Sequence, residues 1–368
     1  MSRIPFVDLS AQHAEVAVEV ELGFAEVLAE TSFVGGKQVT LFEEEYARYV
    51  GVEHCVGVAN GTDALEIALR ANGVGAGDEV VIPANTFVAT AEAVVRAGAL
   101  PVLVDVDEAT MLMDVEQVHR ALSPRTRAVM PVHLYGQVVP MGQLLDLADS
   151  KGLLVIEDAA QAQGARQGGT CAGAFGAAGG TSFYPGKNLG AYGDAGAVTT
   201  RSAQVARRAR MMASHGAEVR YQHEVLGFNS RLDTLQAVVL RAKLSRLEKW
   251  NDARRCAADH YRELLAGLPG LRLPAVASDN EPVWHLYVVR VARRDHVVAE
   301  LERAGVGAAI HYPVPVHLHR AFEELAAGPG SFPVAEQAAG QILSLPMHPH
   351  LTSLQQQRVA EVLAAVVT

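Results

Sequence analysis

The stretch EVVIPANTFVATAEAVVRAGALPVLVDV, residues 79–106, decides the fold because its hydrophobic pattern changes twice over a short distance. Residues 79–83 and 101–106 are short runs rich in β-branched side chains, which predict strands, and residues 87–98 between them have helical spacing. Both runs are continuously apolar rather than alternating, a pattern typical of strands covered on both faces of a sheet. The stretch therefore predicts a strand, a helix and a second strand.

The same alternation continues as far as Asp158. Further strands are predicted at residues 127–134 and 153–158, and further helices at residues 114–122 and 141–152. Alternation at this pace is typical of a mainly parallel sheet with helices on both sides, so we predict an α/β fold for this part of the chain. Ligands of such sheets bind at the carboxyl ends of the strands, where Asp158 is expected to lie.

The pattern changes after Arg201. Helices are predicted at residues 203–216, 232–268 and 293–305, and a strand at residues 284–291. The second of these helices is long enough to carry the chain out of the first domain. We therefore predict a large domain at residues 1–246 and a small C-terminal α+β domain at residues 247–368.

Composition limits the possible partners. The 368 residues carry a formal net charge of −10, which argues against nucleic acid or an anionic membrane as the main partner. No run approaches the roughly 20 apolar residues of a membrane span, and the first residues lack the apolar core of a signal peptide. Cys55, Cys171 and Cys256 are odd in number and far apart, so neither a disulfide framework nor a zinc site is indicated. We expect a cytoplasmic globular protein.

Lys187 is unusual for its surroundings, SFYPGKNLGAYGDAGAVTT (residues 182–200). No other Lys or Arg occurs between Gln167 and Thr200, and Asp194 is the only acidic residue there. A lysine in such a segment is partly desolvated, which lowers its pKa and leaves a larger fraction as the neutral amine. A neutral amine attacks carbonyl groups, so Lys187 is a candidate for Schiff-base chemistry. The alternative is a lysine that caps a helix or extends into solvent.

Asp158 could serve the same chemistry, in the motif VIEDAAQA (residues 155–162). Pyridoxal phosphate (PLP) needs a carboxylate beside its ring nitrogen, and an acid at the end of a buried strand suits that task. An Asp that caps the following helix is the ordinary alternative. Gln161, three residues later, could contact the phenolic oxygen of the ring.

A phosphate site is indicated at the start of another helix. Asn60, Gly61 and Thr62 precede an amphipathic helix, and free amides at a helix N-terminus bind anions. The Ser182 hydroxyl could reach the same phosphate, and Phe87 could stack on a flat cofactor. A normally capped helix and a packed Phe are the structural alternatives.

The motifs EDAAQA, SFYPGKNLGAYGDAGAVTT and GFNSRLDTLQAVVLRAKL resemble those of the PLP-dependent sugar-nucleotide aminotransferases of the DegT/StrS family. The resemblance covers almost the whole chain, from PFVDLSAQ to LSLPMHPHL. It is strongest with enzymes that aminate C3 of a dTDP-linked 3-keto-6-deoxyhexose, of the desosamine type.

The resemblance implies the fold type I aminotransferase architecture, with a mainly parallel seven-stranded sheet in the large domain. It makes Lys187 the Schiff-base lysine and proton shuttle, and Asp158 the partner of the pyridine nitrogen. The other cofactor contacts that it implies are Gly61, Thr62, Phe87, Gln161 and Ser182. It also implies that Asn229 reaches the phosphate of a neighbouring subunit, and hence a homodimer with shared active sites.

For the sugar nucleotide, the candidates are Tyr184, Arg231, His311, Tyr312 and His317. Two prolines stiffen the loop HYPVPVHLHR, where imidazole groups are suited to a diphosphate. A solvent loop with incidental histidines is the alternative. The sequences HLH and HPH lack a carboxylate or cysteine that would complete a metal site, so no metal is predicted.

The predicted reaction moves an amino group from L-glutamate to a dTDP-linked keto-6-deoxy sugar, at C3. Amination at C4, or of a cyclitol ketone, remains open, as does a more remote alternative, a non-catalytic PLP-binding regulatory module. Related 3-dehydratases have histidine where this chain has Lys187. Many close relatives have His where this chain has Gln163, and the contact that this alters is not evident from sequence. The glycines of residues 173–180 do not form GxGxxG, so a dinucleotide site is not indicated.

Overall fold

The computed structural model describes residues 3–367. Its helices are α1 (Leu9–Glu30), α2 (Lys37–Val50), α3 (Gly61–Ala71), α4 (Val88–Arg96), α5 (Val115–Ala121), α6 (Met141–Lys151), α7 (Ala203–Ala213), α8 (Thr234–Leu244), α9 (Leu247–Leu265), α10 (Arg294–Arg303), α11 (Pro333–Gln341) and α12 (Ser353–Val366). Short 3-10 helices occur at Leu134–Gly136, Val316–Leu318 and Arg320–Leu325.

The strands that carry the fold belong mainly to one large sheet. In chain order the strands are β1 (His54–Val58), β2 (Glu79–Pro83), β3 (Leu100–Val104), β4 (Thr126–Val129), β5 (Leu154–Asp158), β6 (Arg166–Gln167), β7 (Thr170–Cys171), β8 (Ala178–Ser182), β9 (Gly196–Thr200), β10 (Ala217–Val219), β11 (Gln222–His223), β12 (Leu271–Arg272), β13 (Asn280–Glu281), β14 (Tyr287–Val291) and β15 (Ile342–Leu345).

The large sheet has seven strands in the order β1-β9-β8-β5-β4-β2-β3. The pairs from β8 to β3 are parallel, and β9 runs antiparallel to both of its neighbours. One face packs on α3, α4 and α7 through a buried cluster that includes Ile67 and Ile82, and the other packs on α5 and α6 through a cluster that includes Val81 and Leu144. The predicted α/β fold with a mainly parallel seven-stranded sheet is confirmed.

Two predicted elements differ most in extent from those observed. The strand expected at residues 127–134 ends at Val129, because Pro131 has no N–H to donate, and Tyr135 at φ 62° and Gly136 at φ 95° then turn the chain. The long helix expected at residues 232–268 is interrupted at Ser245 and Arg246. There the chain changes neighbours, since α8 packs on α1 and α2 whereas α9 packs on α12.

The C-terminal part of the chain has a sheet of its own, β12-β14-β15, covered by α9, α10 and α12. The start of α9 packs with the larger part of the molecule through Leu247 and Trp250, and its later turns pack in the C-terminal core through Tyr261. The N-terminal segment joins this core too, because Ile4 forms a bridge with Val306. The proposed boundary at Leu247 thus lies where α9 begins.

No helix among residues 3–367 is both long enough and apolar enough to cross a lipid bilayer.

Glu157, next to Asp158 in β5, has a structural role on the opposite face of the strand. Its side chain is fully buried on the side opposite Asp158 and accepts hydrogen bonds from His133 Nε2 (2.9 Å) and from the backbone N–H groups of Gly173 (2.7 Å), Phe175 and Gly176 (both 2.8 Å). Successive side chains of a strand point to opposite faces, so one strand supplies a structural acid and an acid for the site.

We predict that Glu157→Gln destabilises the protein by about 1–3 kcal/mol, because the new amide NH₂ would face N–H donors without an acceptor. Urea unfolding measures the change. Glu302→Gln, at an exposed position of α10, is the matched control. An equal, small effect of the two substitutions would contradict this role of Glu157.

Candidate active site

A cavity of about 740 Å³ lies at the carboxyl ends of the parallel strands, between the large sheet and the C-terminal part of the chain. It is lined by Phe6, Val7, Asn60, Gly61, Thr62, Leu65, Thr86, Phe87, Ala89, Glu92, Arg96, Val132, Leu134, Asp158, Ala160, Gln161, Ser182, Tyr184, Gly186, Lys187, Asp194, His285, Leu286, His311 and Tyr312. Parallel sheets bind their ligands at this edge.

The Lys187 side chain lines this cavity from the loop between β8 and β9. Burial lowers the pKa of Lys187 to about 8, and the nearby Asp158 carboxylate opposes part of that change. The loop turns back on itself just before the lysine, where its backbone N–H donates to Tyr184 O at 2.8 Å. The amine is therefore less basic than an exposed lysine and is held on a short turn.

Asp158 ends β5 with its carboxyl group buried in the same cavity. Thr90 Oγ1 donates to its Oδ2 at 2.7 Å, and the Ala160 N–H donates to its Oδ1 at 3.1 Å. Burial raises the pKa of Asp158 above its usual value, while these two hydrogen bonds and the charge of Lys187 act in the opposite direction. A cation placed against this carboxylate would oppose the effect of burial and lower the pKa of Asp158.

An anion cradle lies where α3 begins. Asn60 caps the helix by accepting from the Asp63 N–H at 2.9 Å, and this leaves the first amides of the helix, those of Gly61 and Thr62, without an intrahelical acceptor. The end of β8 closes the cradle, since a Cβ added at Gly61 would lie 2.5 Å from Ser182 Cβ. Glycine at position 61 therefore keeps open the space next to the Ser182 hydroxyl.

The opposite wall of the cavity is aromatic and polar. The rings of Phe87 and Tyr312 lie 5.1 Å apart, tilted by 36°. Gln161 connects two elements, because its Oε1 accepts from the Tyr135 N–H at 2.7 Å and its Nε2 donates to Tyr312 Oη at 2.9 Å. Burial and the Lys187 charge lower the pKa of His311 to about 4, so its imidazole is neutral near pH 7.

The cavity thus contains an amine, a buried carboxylate, a phosphate-sized cradle at a helix N-terminus and an exposed aromatic ring. These residues fit PLP, since the carboxylate suits a pyridine nitrogen, the cradle suits its phosphate and the amine suits its aldehyde.

The structure brings most of the predicted site residues together. Those that line the cavity are Gly61, Thr62, Phe87, Asp158, Gln161, Ser182 and Lys187 from the cofactor set and Tyr184, His311 and Tyr312 from the substrate set. Asn229 and Arg231 are exposed outside it. His317 is buried outside it, with its Nε2 3.0 Å from Glu336 Oε1 and its ring against Phe332. The contact of Asn229 with the phosphate of a neighbouring subunit and the substrate contacts of Arg231 and His317 remain predictions.

Sequence reasoning missed three groups. Thr90 is two residues into α4, and nothing in its local pattern indicates a bond to Asp158. His285 lines the cavity from the loop before β14, whereas the sequence predicts a strand at residues 284–291. Arg96 lines the cavity but is already paired, at 3.0 Å with Asp63 and at 2.8 Å with Glu66.

Comparison with known proteins gives consistent matches along the chain. The sequence model of the DegT/DnrJ/EryC1/StrS aminotransferase family matches residues 16–364. The dTDP-3-amino-3,4,6-trideoxy-alpha-D-glucose transaminase of Streptomyces venezuelae is 47% identical, over 98% of this chain and 95% of its own length. The UDP-N-acetyl-3-dehydro-alpha-D-glucosamine 3-aminotransferase of Acidithiobacillus ferrooxidans is 46% identical, over 98% of this chain and 97% of its own.

Among solved structures, the crystal structure of S. venezuelae DesV in complex with a ketimine intermediate superposes with a TM-score of 0.97 and 46% identity, covering 99% of this chain and 98% of that one. The fold of nearly all of the chain, including the arrangement of its C-terminal part, therefore has a solved counterpart.

The position of Lys187 gives a prediction about its basicity. In the apoenzyme, pulse labelling with acetic anhydride followed by peptide mass spectrometry should give half-maximal reactivity of Lys187 near pH 8. Asp158→Asn should move that midpoint to lower pH, because it removes the negative charge that favours the ammonium form. The exposed Lys151 is the internal reference for the reagent. A midpoint near pH 10 would contradict the buried placement of the amine.

Proposed function

Because the chain belongs to the DegT/DnrJ/EryC1/StrS aminotransferase family, we propose that it transfers an amino group from L-glutamate to C3 of a dTDP-linked 3-keto-6-deoxyhexose. The observation that carries this proposal is the presence of Lys187 and Asp158 in one cavity beside an anion cradle. The relative from S. venezuelae supports the choice of sugar, since its name specifies a dTDP-linked 3-amino-trideoxyglucose.

PLP is the proposed cofactor. Gly61, Thr62 and Ser182 would hold its phosphate, Asp158 its ring nitrogen and Gln161 its phenolic oxygen. When bound, PLP supplies an electron sink for the pair released as a C–H bond beside nitrogen breaks. Phe87 offers the exposed aromatic face against which a flat ring stacks.

Lys187 would move the proton. With a pKa of about 8, roughly one amine in ten is neutral at pH 7, so Lys187 Nζ can both accept and return a proton under ordinary conditions. Positioned proton transfer of this kind contributes about 10²–10⁴-fold to a rate. Burial in the wall of the cavity is the main cause of the lowered pKa of Lys187.

Asp158 would act as a fixed negative charge. Two hydrogen bonds orient its carboxylate, from Thr90 and from the Ala160 N–H, so little reorganisation is needed when a ring N–H⁺ approaches. The negative charge stabilises the protonated ring nitrogen, and the protonated ring in turn favours the ionised acid.

The sugar nucleotide would enter past Tyr184, His311 and Tyr312. We propose a homodimer in which Arg231 and Asn229 serve the neighbouring subunit, as both are exposed in one protomer and lie outside its own cavity. Exposed apolar side chains close to them in sequence support this proposal, since Tyr221 and Leu226 are 78% and 87% exposed.

The nucleotide has a second candidate. The A. ferrooxidans relative is almost as similar as the S. venezuelae one, yet its name specifies a UDP-linked 3-dehydro sugar. Both names specify position 3 of the sugar, so the choice between dTDP and UDP is separate from the position aminated.

We predict that the purified protein with PLP and glutamate converts a dTDP-3-keto-6-deoxyhexose to the 3-amino sugar, identified by mass spectrometry and NMR. Lys187→Ala should lower the rate by about 10²–10⁴-fold or more, since it removes the proton carrier. Lys151→Ala, at an exposed lysine, is the matched control. Parallel reactions with the UDP-linked 3-keto and the dTDP-linked 4-keto sugars test the nucleotide and the position.

Amination at C4 alone, or steady turnover by Lys187→Ala, would contradict the proposal. A protein that binds PLP but shows no absorbance change with glutamate would instead support the non-catalytic regulatory alternative.

A further inference from the structure

A line of buried side-chain amides runs behind the cavity, formed by Gln163, Asn251 and Asn188, which are 2%, 0% and 1% exposed. None of the three lines the cavity. Asn251 is on α9. Gln163 lies between β5 and β6, and Asn188 lies in the loop between β8 and β9. Buried hydrogen bonds fix their partners in one arrangement, so the contacts of this line decide what it holds. Gln163 Oε1 is the atom of the line that has no hydrogen-bond partner among the described residues.

Gln163 holds the phosphate side of the site. Its Nε2 donates to Ser182 O at 2.7 Å and to Thr181 Oγ1 at 3.2 Å. A primary amide has two N–H groups on one nitrogen, whereas an imidazole edge has one, so glutamine suits both acceptors.

Asn251 links Gln163 to Asn188, the residue that follows Lys187. Its Nδ2 donates to Gln163 O at 3.0 Å, and its Oδ1 accepts from Asn188 Nδ2, also at 3.0 Å. Asn188 directly follows Lys187 in the chain. The Asn251 side chain is therefore bonded directly to Asn188, at the amine end of the loop of residues 182–188. It reaches the Ser182 end indirectly, through the backbone carbonyl of Gln163, whose side chain bonds Ser182 O.

The line of amides continues from Asn188 to His285, which lines the cavity. Its Nδ2 donates to Asn251 Oδ1 and to Val283 O (2.9 Å), so its Oδ1 must face His285 Nδ1 at 3.2 Å. An amide oxygen only accepts, so Nδ1 of His285 carries the proton. Burial and the charge of Lys187 hold the pKa of His285 well below its ordinary value, so the ring is neutral and its Nε2 carries no proton.

Close packing keeps Asn251 in place. A Cβ added at Gly164 would lie 2.7 Å from Asn251 Nδ2 and 2.2 Å from Tyr49 Oη, and Gly164 has φ +92°. The backbone next to Gln163 thus approaches the Asn251 amide as closely as glycine allows. A side chain at position 164 would therefore displace the Asn251 amide or the Tyr49 hydroxyl.

We propose that Asn251 is a positioning residue that fixes the distance between the phosphate cradle at Ser182 and the amine of Lys187, an inference that rests on the proposed PLP-dependent function. Without it, each end of the loop keeps its own contacts but the two ends are no longer linked through Asn251. Misplacement of a reacting group by about 1 Å is enough to cost on the order of 10²-fold.

The test compares Asn251→Leu, of similar size but without amide groups, with Gln356→Leu. Gln356 is an equally buried amide on α12, whose Nε2 donates to Ala257 O at 2.6 Å, and it has no contact with the loop. We expect Asn251→Leu to weaken PLP binding by about tenfold or more, measured by fluorescence titration of the apoenzyme, because a misplaced cradle and amine no longer bind one cofactor together. Amine labelling should also show a shifted pH midpoint for Lys187, whereas Gln356→Leu should lower only thermal stability.

A double variant, Asn188→Leu with Asn251→Leu, tests the connection itself. If the two side chains act as one line, the double variant should weaken PLP binding by much less than the product of the two single effects. Asn251→Ser, which retains a small hydrogen-bonding group, provides the same measurements if Asn251→Leu does not fold.

Unchanged PLP affinity and an unchanged Lys187 midpoint in a folded Asn251 variant would overturn the positioning role, and so would changes equal to those of Gln356→Leu. Either result leaves the aminotransferase proposal intact, because the apoenzyme measurements involve no sugar or amino donor. Failure of the wild-type protein to bind PLP would instead overturn the proposed function.

Discussion

The active site depends on one arrangement, a lysine amine and a buried carboxylate that line the same cavity. Burial disfavours the charged form of each group, so the pKa of Lys187 falls to about 8 and that of Asp158 rises. Each charge partly offsets the cost of burying the other. The hydrogen bonds from Thr90 and Ala160 then favour the ionised acid, and the amine retains enough neutral form to act as base and nucleophile.

The fold supplies this arrangement through the ends of its parallel strands. β5 ends at Asp158, and β8 ends at Ser182 beside the first turn of α3, because Gly61 lets the two backbones approach. The alternation of β5 directs Glu157 to the opposite face, where it binds the loop of residues 173–176. Glu157 thus stabilises the fold, whereas the adjacent Asp158, on the opposite face of the same strand, serves the site.

The parts of this design that follow local rules could be predicted from sequence. Continuous apolar runs gave β2 and β5 nearly to the residue, and the absence of other charges around Lys187 identified the central amine. The parts that depend on long-range packing could not be predicted. The partner of Asp158 is on α4, the break before α9 follows a change of packing neighbours, and the role of Asn251 requires three segments far apart in the chain.

The cavity has two halves of different origin. The groups suited to the cofactor come from the large sheet and its loops, whereas Phe6, His285 and His311 come from the N-terminal segment and the C-terminal part of the chain. Relatives named for dTDP-linked and UDP-linked sugars are 47% and 46% identical to this chain, so overall identity does not separate the two nucleotides. Because the groups suited to the cofactor belong to the first half, the side chains of the second half are the candidates for contact with the sugar nucleotide. Discrimination between sugar nucleotides therefore has to come from that half, or from a neighbouring subunit that covers it.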